Sequence, residues 1–560
     1  MKKRRKSARD KGLSLRNKPA EHGVVIKKGK GLIKAALVYP NTYKTGMSNL
    51  GFQTVYRLAN QLENVACERV FLPDSKPYRT DPTIQSLETG SRLDQFDVIL
   101  FSISFENDFN HLVQLLEEAG IPLRSPDRNH THPLVVAGGV ACFLNPEPIA
   151  PFVDGFLLGE AELLLKPFFN FFAGKPNKTQ LLAELERAVP GAYVPGCHRD
   201  GKPFHIQVQY LAHLDDITTA SSLLTAHTAF KETFLIETLK GCPHGCRFCT
   251  AGYIFRPPRI YPVENIYQAM DDASGKTDRI GLVSSAIADH PDIGKICEYG
   301  DQKGFQLSFS SLRADRLDTK MLNILSASRV KTATIAPEAG SERMRCIINK
   351  NISESDILSA AKRLVASGII NLRLYFMIGL PFEQEDDVQA IVALTKKIKA
   401  VFLEESRKKQ KIGAITLSIN AFIPKPATPF QWAAMMPGNQ LKKRVKIIQQ
   451  GLKETANVNI NVESIRKARI YALLSRGDQK TADLIEEARK IGWTRVMKKE
   501  KTYCNRVIYS EKQTDAFLPW DFIGNRVKKT FLMKEWQQAK VEKRSKACPM
   551  IDCQTCRRCQ

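Results

Sequence analysis

The sequence predicts an α/β protein: a doubly wound parallel sheet, then a partial (β/α)6 barrel, then a mainly helical region closed by a four-cysteine tail. Three observations predict it. Continuous apolar runs alternate with helix-like stretches from about Leu32 to Phe422, the pattern of strands buried on both faces by covering helices. The runs fall into two blocks, 31–215 and 228–430. Beyond residue 430 the composition turns helical, punctuated by Gly477-Asp478 and Gly492-Trp493.

In the first block Ile33–Tyr39 is an apolar run closed by Pro40, and Gly51–Leu62 follows as a helix. Asp97–Ser104, Pro133–Gly139 and Val153–Gly159 are further strands, with the helix Phe109–Glu118 between the first two of these. In open parallel sheets ligands bind beyond the carboxyl ends of the strands. The loops at that edge are Asn41–Gly51, Ser104–Asn107, Gly138–Pro148 and Gly159-Glu160.

In the second block Phe234–Leu239, Arg279–Ser285, Leu307–Leu312, Thr332–Ala336, Leu372–Ile378 and Ile415–Phe422 make six strands. Helices such as Glu354–Ser367 and Glu385–Phe402 separate several of them. Asn439–Thr455, Ser464–Leu474 and Thr481–Ile491 are helices of the third region, 431–545, where Val458–Val462 is a short strand. The simplest role for that region is a cap over the barrel mouth.

Strand one of the barrel runs into Leu239-Lys-Gly-Cys-Pro-His-Gly-Cys-Arg-Phe-Cys-Thr250, a C-x3-C-x2-C loop of Cys242, Cys246 and Cys249. Three thiolates on one short loop suit three irons of a cubane [4Fe–4S] cluster. A zinc site normally closes with four protein ligands, and a disulfide would leave one sulfur over and needs an oxidising compartment. With three cysteines the fourth iron has no protein ligand, and a substrate or cofactor can coordinate there.

The triplet, with aromatic Phe248 before its last cysteine, resembles the signature of radical S-adenosylmethionine (radical SAM) enzymes. Ala336-Pro-Glu-Ala-Gly-Ser341 with Asn349-Lys350 resembles the segment contacting the ribose and methionyl parts of SAM. Met377-Ile-Gly-Leu-Pro381 resembles the motif supporting the adenine. The resemblance implies SAM binding by Phe248, Glu338, Gly340, Ser341, Gly379 and Pro381, and reductive SAM cleavage to a 5′-deoxyadenosyl radical. Glu338 has the bland alternative of an exposed turn carboxylate. Ser284 and Ser285 stand where many members carry glycines that hold the SAM amino group. Ser308, Ser310 and Arg313 are polar lining or core-rim residues.

Ala137-Gly-Gly-Val-Ala-Cys-Phe-Leu-Asn-Pro-Glu147, with Gly159-Glu-Ala-Glu162, looks like the cobalamin-binding domain placed ahead of many radical SAM cores. It implies cobalamin contacts at Gly138, Gly139, Asn145, Gly159 and Glu160. The Asp-x-His-x-x-Gly motif that supplies a cobalt ligand is absent, so two readings stand: binding without a histidine ligand, or a domain that kept the fold without the cofactor. With cobalamin, methyl transfer is the implied chemistry.

The tail Cys548-Pro-Met-Ile-Asp-Cys553-Gln-Thr-Cys556-Arg-Arg-Cys559 packs four thiols at ferredoxin-like spacing. It implies an auxiliary [4Fe–4S] cluster, with zinc and a redox-active tail as the alternatives. Cys67, Cys142, Cys197, Cys297, Cys346 and Cys504 are scattered singly and read as small hydrophobes. With Tyr39–Gly51 and Pro519-Trp520-Asp521, the chain as a whole resembles radical SAM proteins that combine an N-terminal cobalamin-binding-like domain with a C-terminal cysteine-rich tail. The resemblance supplies no substrate.

At 43% hydrophobic and 25% charged residues the composition is that of a globular protein, and no apolar stretch approaches the ~20 residues of a membrane span. With thirteen cysteines and no secretory signal, the sequence indicates a cytoplasmic metal-binding protein. Residues 1–30 hold twelve Lys and Arg against Asp10 and Glu21, within a net charge of +25. This segment reads as a disordered arm that contacts RNA or another polyanion, or as a solvated tail. The implied partner is a one-electron donor of flavodoxin or ferredoxin type. The functions in competition are an RNA-modifying enzyme, a modifier of a small molecule or peptide, and a non-catalytic iron–sulfur sensor or electron relay.

Overall fold

The computed structural model describes residues 19–73, 84–174, 177–198, 204–309, 313–317, 319–328 and 330–550. Ile33–Tyr39 (β1), Val65–Phe71 (β2), Val98–Ser102 (β3), Leu134–Gly138 (β4), Gly155–Leu157 (β5) and Ala192–Tyr193 (β6) form one sheet in the order β2-β1-β3-β4-β5-β6. All its pairs are parallel except β5–β6. The 2-1-3-4-5 order is that of flavodoxin-like doubly wound folds, whose switch point lies between β1 and β3.

β2 escaped the apolar-run reading because Glu68 and Arg69 interrupt it. Arg69 is nonetheless buried, paired with Glu88 at 2.6 Å and Glu21 at 2.7 Å. Glu21 corrects a second expectation. Residues 21–27 are anchored to the body and do not continue a disordered arm. Val25 exchanges backbone hydrogen bonds with the Tyr56 hydroxyl, Lys27 Nζ donates to Leu62 O at 2.6 Å, and His22 bridges to Leu224. Residues 1–18, which hold nine of the twelve Lys and Arg of residues 1–30, lie outside the described residues.

Ile206–Gln207 (β7) starts the connection to the second unit. There Phe234–Glu237 (β8) is followed by Leu239–Lys240 (β9), which pairs antiparallel with Arg259–Ile260 (β10). Arg279–Val283 (β11) and Gln306–Phe309 (β12) complete a parallel sheet, β12-β11-β8. Thr332–Glu338 (β13), Asn371–Ile378 (β14), Ile415–Ala421 (β15) and Val458–Val462 (β16) form a second parallel sheet in that order. All six expected barrel strands are present, and β16 adds a seventh beside β15. No ladder among the described residues joins β12 to β13.

The helical region does more than cap the barrel. Arg124 of the N-terminal unit pairs with Asp483 at 2.8 Å and Glu486 at 3.0 Å, and Asn145 donates to the Ser475 and Gly477 carbonyls. Near the end, Ile523–Gly524 (β17) pairs parallel with β7. The third region therefore also ties down the N-terminal unit and the connection that follows it. Among the described residues no helix is long and apolar enough to cross a membrane.

Candidate functional site

The thiol loop leaves the carboxyl end of β8, where βα barrels carry their active sites. Its course is set by glycines with no room for a Cβ. Gly241 has φ +84°, and a Cβ there would lie 2.9 Å from Phe255 O. At Gly252 a Cβ would meet His244 O at 2.5 Å. Asn349, itself at φ +55°, donates from Nδ2 to Gly245 O at 3.0 Å, and the Tyr253 hydroxyl donates to the same carbonyl. His244 Nε2 pairs with Asp289 at 2.8 Å. Phe248 is half-buried against the core.

All ten described cysteines are free thiols. Burial first, and the neighbouring Cys246 second, push the Cys242 thiol up to about 12 and the Cys249 thiol up to about 11. Among the described residues no three His, Cys, Asp or Glu side chains converge as around a single ion. Cubane ligands each take a different iron, so their sulfurs stand farther apart than the ligands of one ion. The donor set, three thiols on one glycine-shaped loop, fits a cluster with one iron left open.

Facing the loop stands a strained, charged group that the sequence identified only in part. Glu338 ends β13 at φ +65°, after a register shift between Ile335 and Glu338. A non-glycine residue in this conformation is held there by its surroundings. Its carboxylate pairs with Lys350 at 3.2 Å. Burial would lower Lys350, but the charges of Glu338 and Cys246 outweigh it and leave the amine above its ordinary range. Arg313 donates to Lys350 O and pairs with Asp315 at 3.0 Å. Burial opposes its charge too, and Asp315, then Cys246 and Asp289, raise it.

Other expected SAM contacts have structural partners of their own. A Cβ on Gly340 would meet Ile391 N at 2.2 Å, so this glycine seats the helix Glu385–Lys408. Ser341 caps the helix Glu342–Ile347 and donates to Asp387 at 2.5 Å. Gly379 has φ +77° and donates its N–H to both oxygens of Glu383 at 3.0 Å, while Pro381 is half-buried behind it. Ser284 Oγ accepts from Ala286 N, Ser285 is exposed beside it, and Ser308 Oγ donates to Ile280 O. Ser310, Cys553, Cys556 and Cys559 lie outside the described residues. Cys548 is buried, and its N–H donates to Pro243 O at 2.7 Å, which ties the first tail cysteine to the thiol loop.

Between the two units lies a cavity of about 380 Å³, lined by strand ends Leu37, Leu100, Val136 and Leu157, by Gly138, Gly139, Gly159 and Glu160, and by Glu237, Lys240 and Gly241 beside the thiol loop. Its walls are mainly apolar, with one charged end. There Glu160 makes a bidentate pair with Arg259 at 2.7 and 2.9 Å, Lys240 lies 3.4 Å from Glu162, and Tyr261 donates to Glu237 at 2.8 Å. Glu237 and Lys240 went unassigned in the sequence. The available signal was a pair of charges inside the strand that feeds the cysteines.

The expected cobalamin residues divide. Gly138, Gly139, Gly159 and Glu160 line the cavity, but Asn145 does not. A Cβ on Gly139 would meet Ile103 O at 2.5 Å and one on Gly159 would meet Gln209 O at 2.5 Å, so both glycines already serve the protein's own backbone. Cys142 is buried, and burial pushes its thiol up. At about 380 Å³ the cavity is too small to enclose a whole cobalamin, and its lining offers no His, Cys or Met to cobalt.

Two family models match: radical SAM proteins, N-terminal, over residues 51–195, and the radical SAM superfamily over 236–395. Protein MJ0966 of Methanocaldococcus jannaschii is 31% identical over 462 residues, 82% of this chain and 91% of that protein. The chain belongs to the radical SAM superfamily. Among solved structures it resembles TsrM of Kitasatospora setae, a radical S-adenosylmethionine methyltransferase solved with tryptophan and a SAM analog. That likeness has TM-score 0.45 and 11% identity, over 84% of this chain and 99% of that one. It also resembles OxsB, a cobalamin-dependent S-adenosylmethionine radical enzyme, at TM-score 0.42 and 14% identity, over 68% and 56%.

Proposed function

We propose that this protein is an enzyme that binds SAM at a [4Fe–4S] cluster held by Cys242, Cys246 and Cys249 and acts on a substrate admitted through the cavity between its two sheets. The observation that carries the reading is the half-buried Glu338–Lys350 pair, 3.2 Å apart, with Arg313 on the Lys350 carbonyl and the neighbouring Asn349 tied to Gly245 of the thiol loop. These groups complement a zwitterionic amino acid. Lys350 and Arg313 suit the carboxylate of SAM, and Glu338 suits its ammonium or its ribose hydroxyls.

Held by Cys242, Cys246 and Cys249, a cluster with SAM on its open iron would supply one-electron reductive cleavage of SAM. The chain's own contribution is placement and exclusion of water. The β13 end, the segment after β12 and the turn after the helix Glu342–Ile347 hold Glu338, Arg313 and Lys350 beside the thiol loop, and the apolar cavity wall shields the adjoining space. Glu237 and Lys240, at the cavity's charged end, are placed to orient a polar group on whatever enters.

Two occupants suit the cavity, an organic substrate or the arm of a cobalamin, and cobalt content separates them. The test is anaerobic reconstitution followed by SAM and dithionite, with 5′-deoxyadenosine measured. Release of deoxyadenosine, abolished in Cys246→Ala, supports the proposal. Iron uptake with no SAM cleavage would leave an electron relay or sensor, and zinc in place of iron would remove the radical chemistry. RNA as the substrate rests on the basic residues 1–18 alone. It predicts salt-sensitive RNA binding that a chain starting at residue 19 has lost.

A further inference from the structure

The thiol loop has almost no regular secondary structure, yet three like-charged sulfurs must be held at fixed spacing on it. Arg247, between Cys246 and Cys249, is fully buried, and its guanidinium reaches three separate segments. Nε donates to Glu535 at 3.1 Å, on the helix Lys529–Lys540. Nη1 donates to the carbonyls of Ile347 at 2.7 Å and Cys346 at 3.3 Å. Nη2 donates to Lys543 O at 2.7 Å and Ser545 Oγ at 3.3 Å.

The last two acceptors belong to a strap, residues 542–548, that crosses the loop. The Ser545 N–H donates to Asn349 Oδ1 at 2.9 Å, and its carbonyl accepts from Asn351. Asn349 in turn holds Gly245 O. At one end of the strap Cys346 Sγ donates to Glu542 O at 2.7 Å and Arg343 pairs with Glu542 at 2.8 Å. At the other end the Cys548 N–H reaches Pro243 O. The loop is therefore gripped at Pro243, Gly245 and Arg247, between and beside all three cysteines, by one C-terminal segment.

We infer that Arg247 is a positioning residue which, through the strap 542–548, fixes the spacing of Cys246 and Cys249. The inference rests on the reading of the three cysteines as cluster ligands. A lysine has no planar fork and cannot serve five acceptors spread over three segments. Replacing Arg247 alone would strand the Glu535 carboxylate in the interior, so the informative variant is Arg247→Met with Glu535→Met, which removes both charges together.

The experiment compares five chains: full length, that double variant, Arg247→Lys, a chain ending after Met550 and a chain ending after Glu542. The apo proteins are alkylated, and labelling of Cys246 and Cys249 is timed by mass spectrometry. Reconstituted samples are reduced, and the electron paramagnetic resonance of the cluster is recorded with and without SAM. The chain ending after Met550 keeps the strap, and it should match full length in labelling and in the SAM-induced spectral shift.

The double variant and the chain ending after Glu542 should label at least tenfold faster and lose that shift, with far-ultraviolet circular dichroism unchanged. Arg247→Lys should fall between. Equal labelling in all five chains, or a retained SAM shift without the strap, overturns the inference. A full-length chain that labels slowly but takes up no iron refutes the cluster reading instead, so the two failures are distinguishable.

Discussion

The N-terminal sheet and the barrel sheets share one geometry, parallel strands with functional loops at the carboxyl edge, yet they use that edge differently. At the N-terminal edge Gly139 is packed on Ile103, Gly159 on Gln209, Asn145 holds two carbonyls of the helical region, and Glu160 is locked to Arg259. At the barrel edge Glu338 and Asn349 sit at positive φ, Lys350 is half-buried beside one carboxylate, and three thiols share a loop. The first edge is stitched to its neighbours. The second gathers strained backbone and charge around the thiol loop. Both edges enclose an ion pair, Glu160–Arg259 in one and Glu338–Lys350 in the other, and what tells them apart is non-glycine backbone at positive φ beside the thiol loop.

Five experiments break or sharpen that contrast. Cys246→Ala has the largest expected effect: loss of about four irons per chain and of deoxyadenosine release. Lys350→Met or Glu338→Gln should lower SAM cleavage roughly 10- to 100-fold, a few kcal/mol of lost charge-assisted contact, read as kcat/KM for SAM. If either variant unfolds the protein without touching SAM affinity, the barrel edge is as structural as the other one.

Arg259→Met should destabilise the fold by about 3–5 kcal/mol, because Glu160 is left buried without its partner. Urea unfolding measures it. Asn145→Ala should cost about 1–3 kcal/mol through two orphaned carbonyls and leave SAM cleavage within a factor of about two. Activity loss at unchanged stability would place Asn145 in a ligand site.

The smallest effect is a slope. Burial raises Glu237 above its ordinary 4.5, and Lys240 and Tyr261 oppose this without cancelling it. A carboxyl raised in the native state holds its proton more tightly folded than unfolded. Its contribution is therefore fully present below pH 4.5, declines as pH rises through the native value, and is flat beyond. Glu237→Gln should remove that decline from the stability profile. A profile identical to that of the unmodified chain would mean Glu237 is already ionised in the native state.

Much of this was legible in the sequence because it depends on short-range pattern. Ile33–Tyr39 and Phe109–Glu118 were found at their observed limits, since apolar runs and helical spacing are local properties. The thiol loop was legible for the same reason. β2 was not, because its Arg69 is neutralised by Glu88 and Glu21, and its Glu68 is held by the Ser86 and Thr89 hydroxyls, all of them outside the strand. β16 was recognised as a strand, but nothing local told that it would join the barrel.

Sequence alone determined the α/β class, the two blocks of strands and the three-thiol loop of Cys242, Cys246 and Cys249, because hydrophobic period and thiol spacing are properties of neighbouring residues. Tertiary structure alone decided which glycines serve the backbone, which acid meets Lys350, and that Cys548 and Ser545 lie across a loop some three hundred residues away. Those facts are pairings between distant segments. They follow from which surfaces bury each other, and no local pattern encodes that.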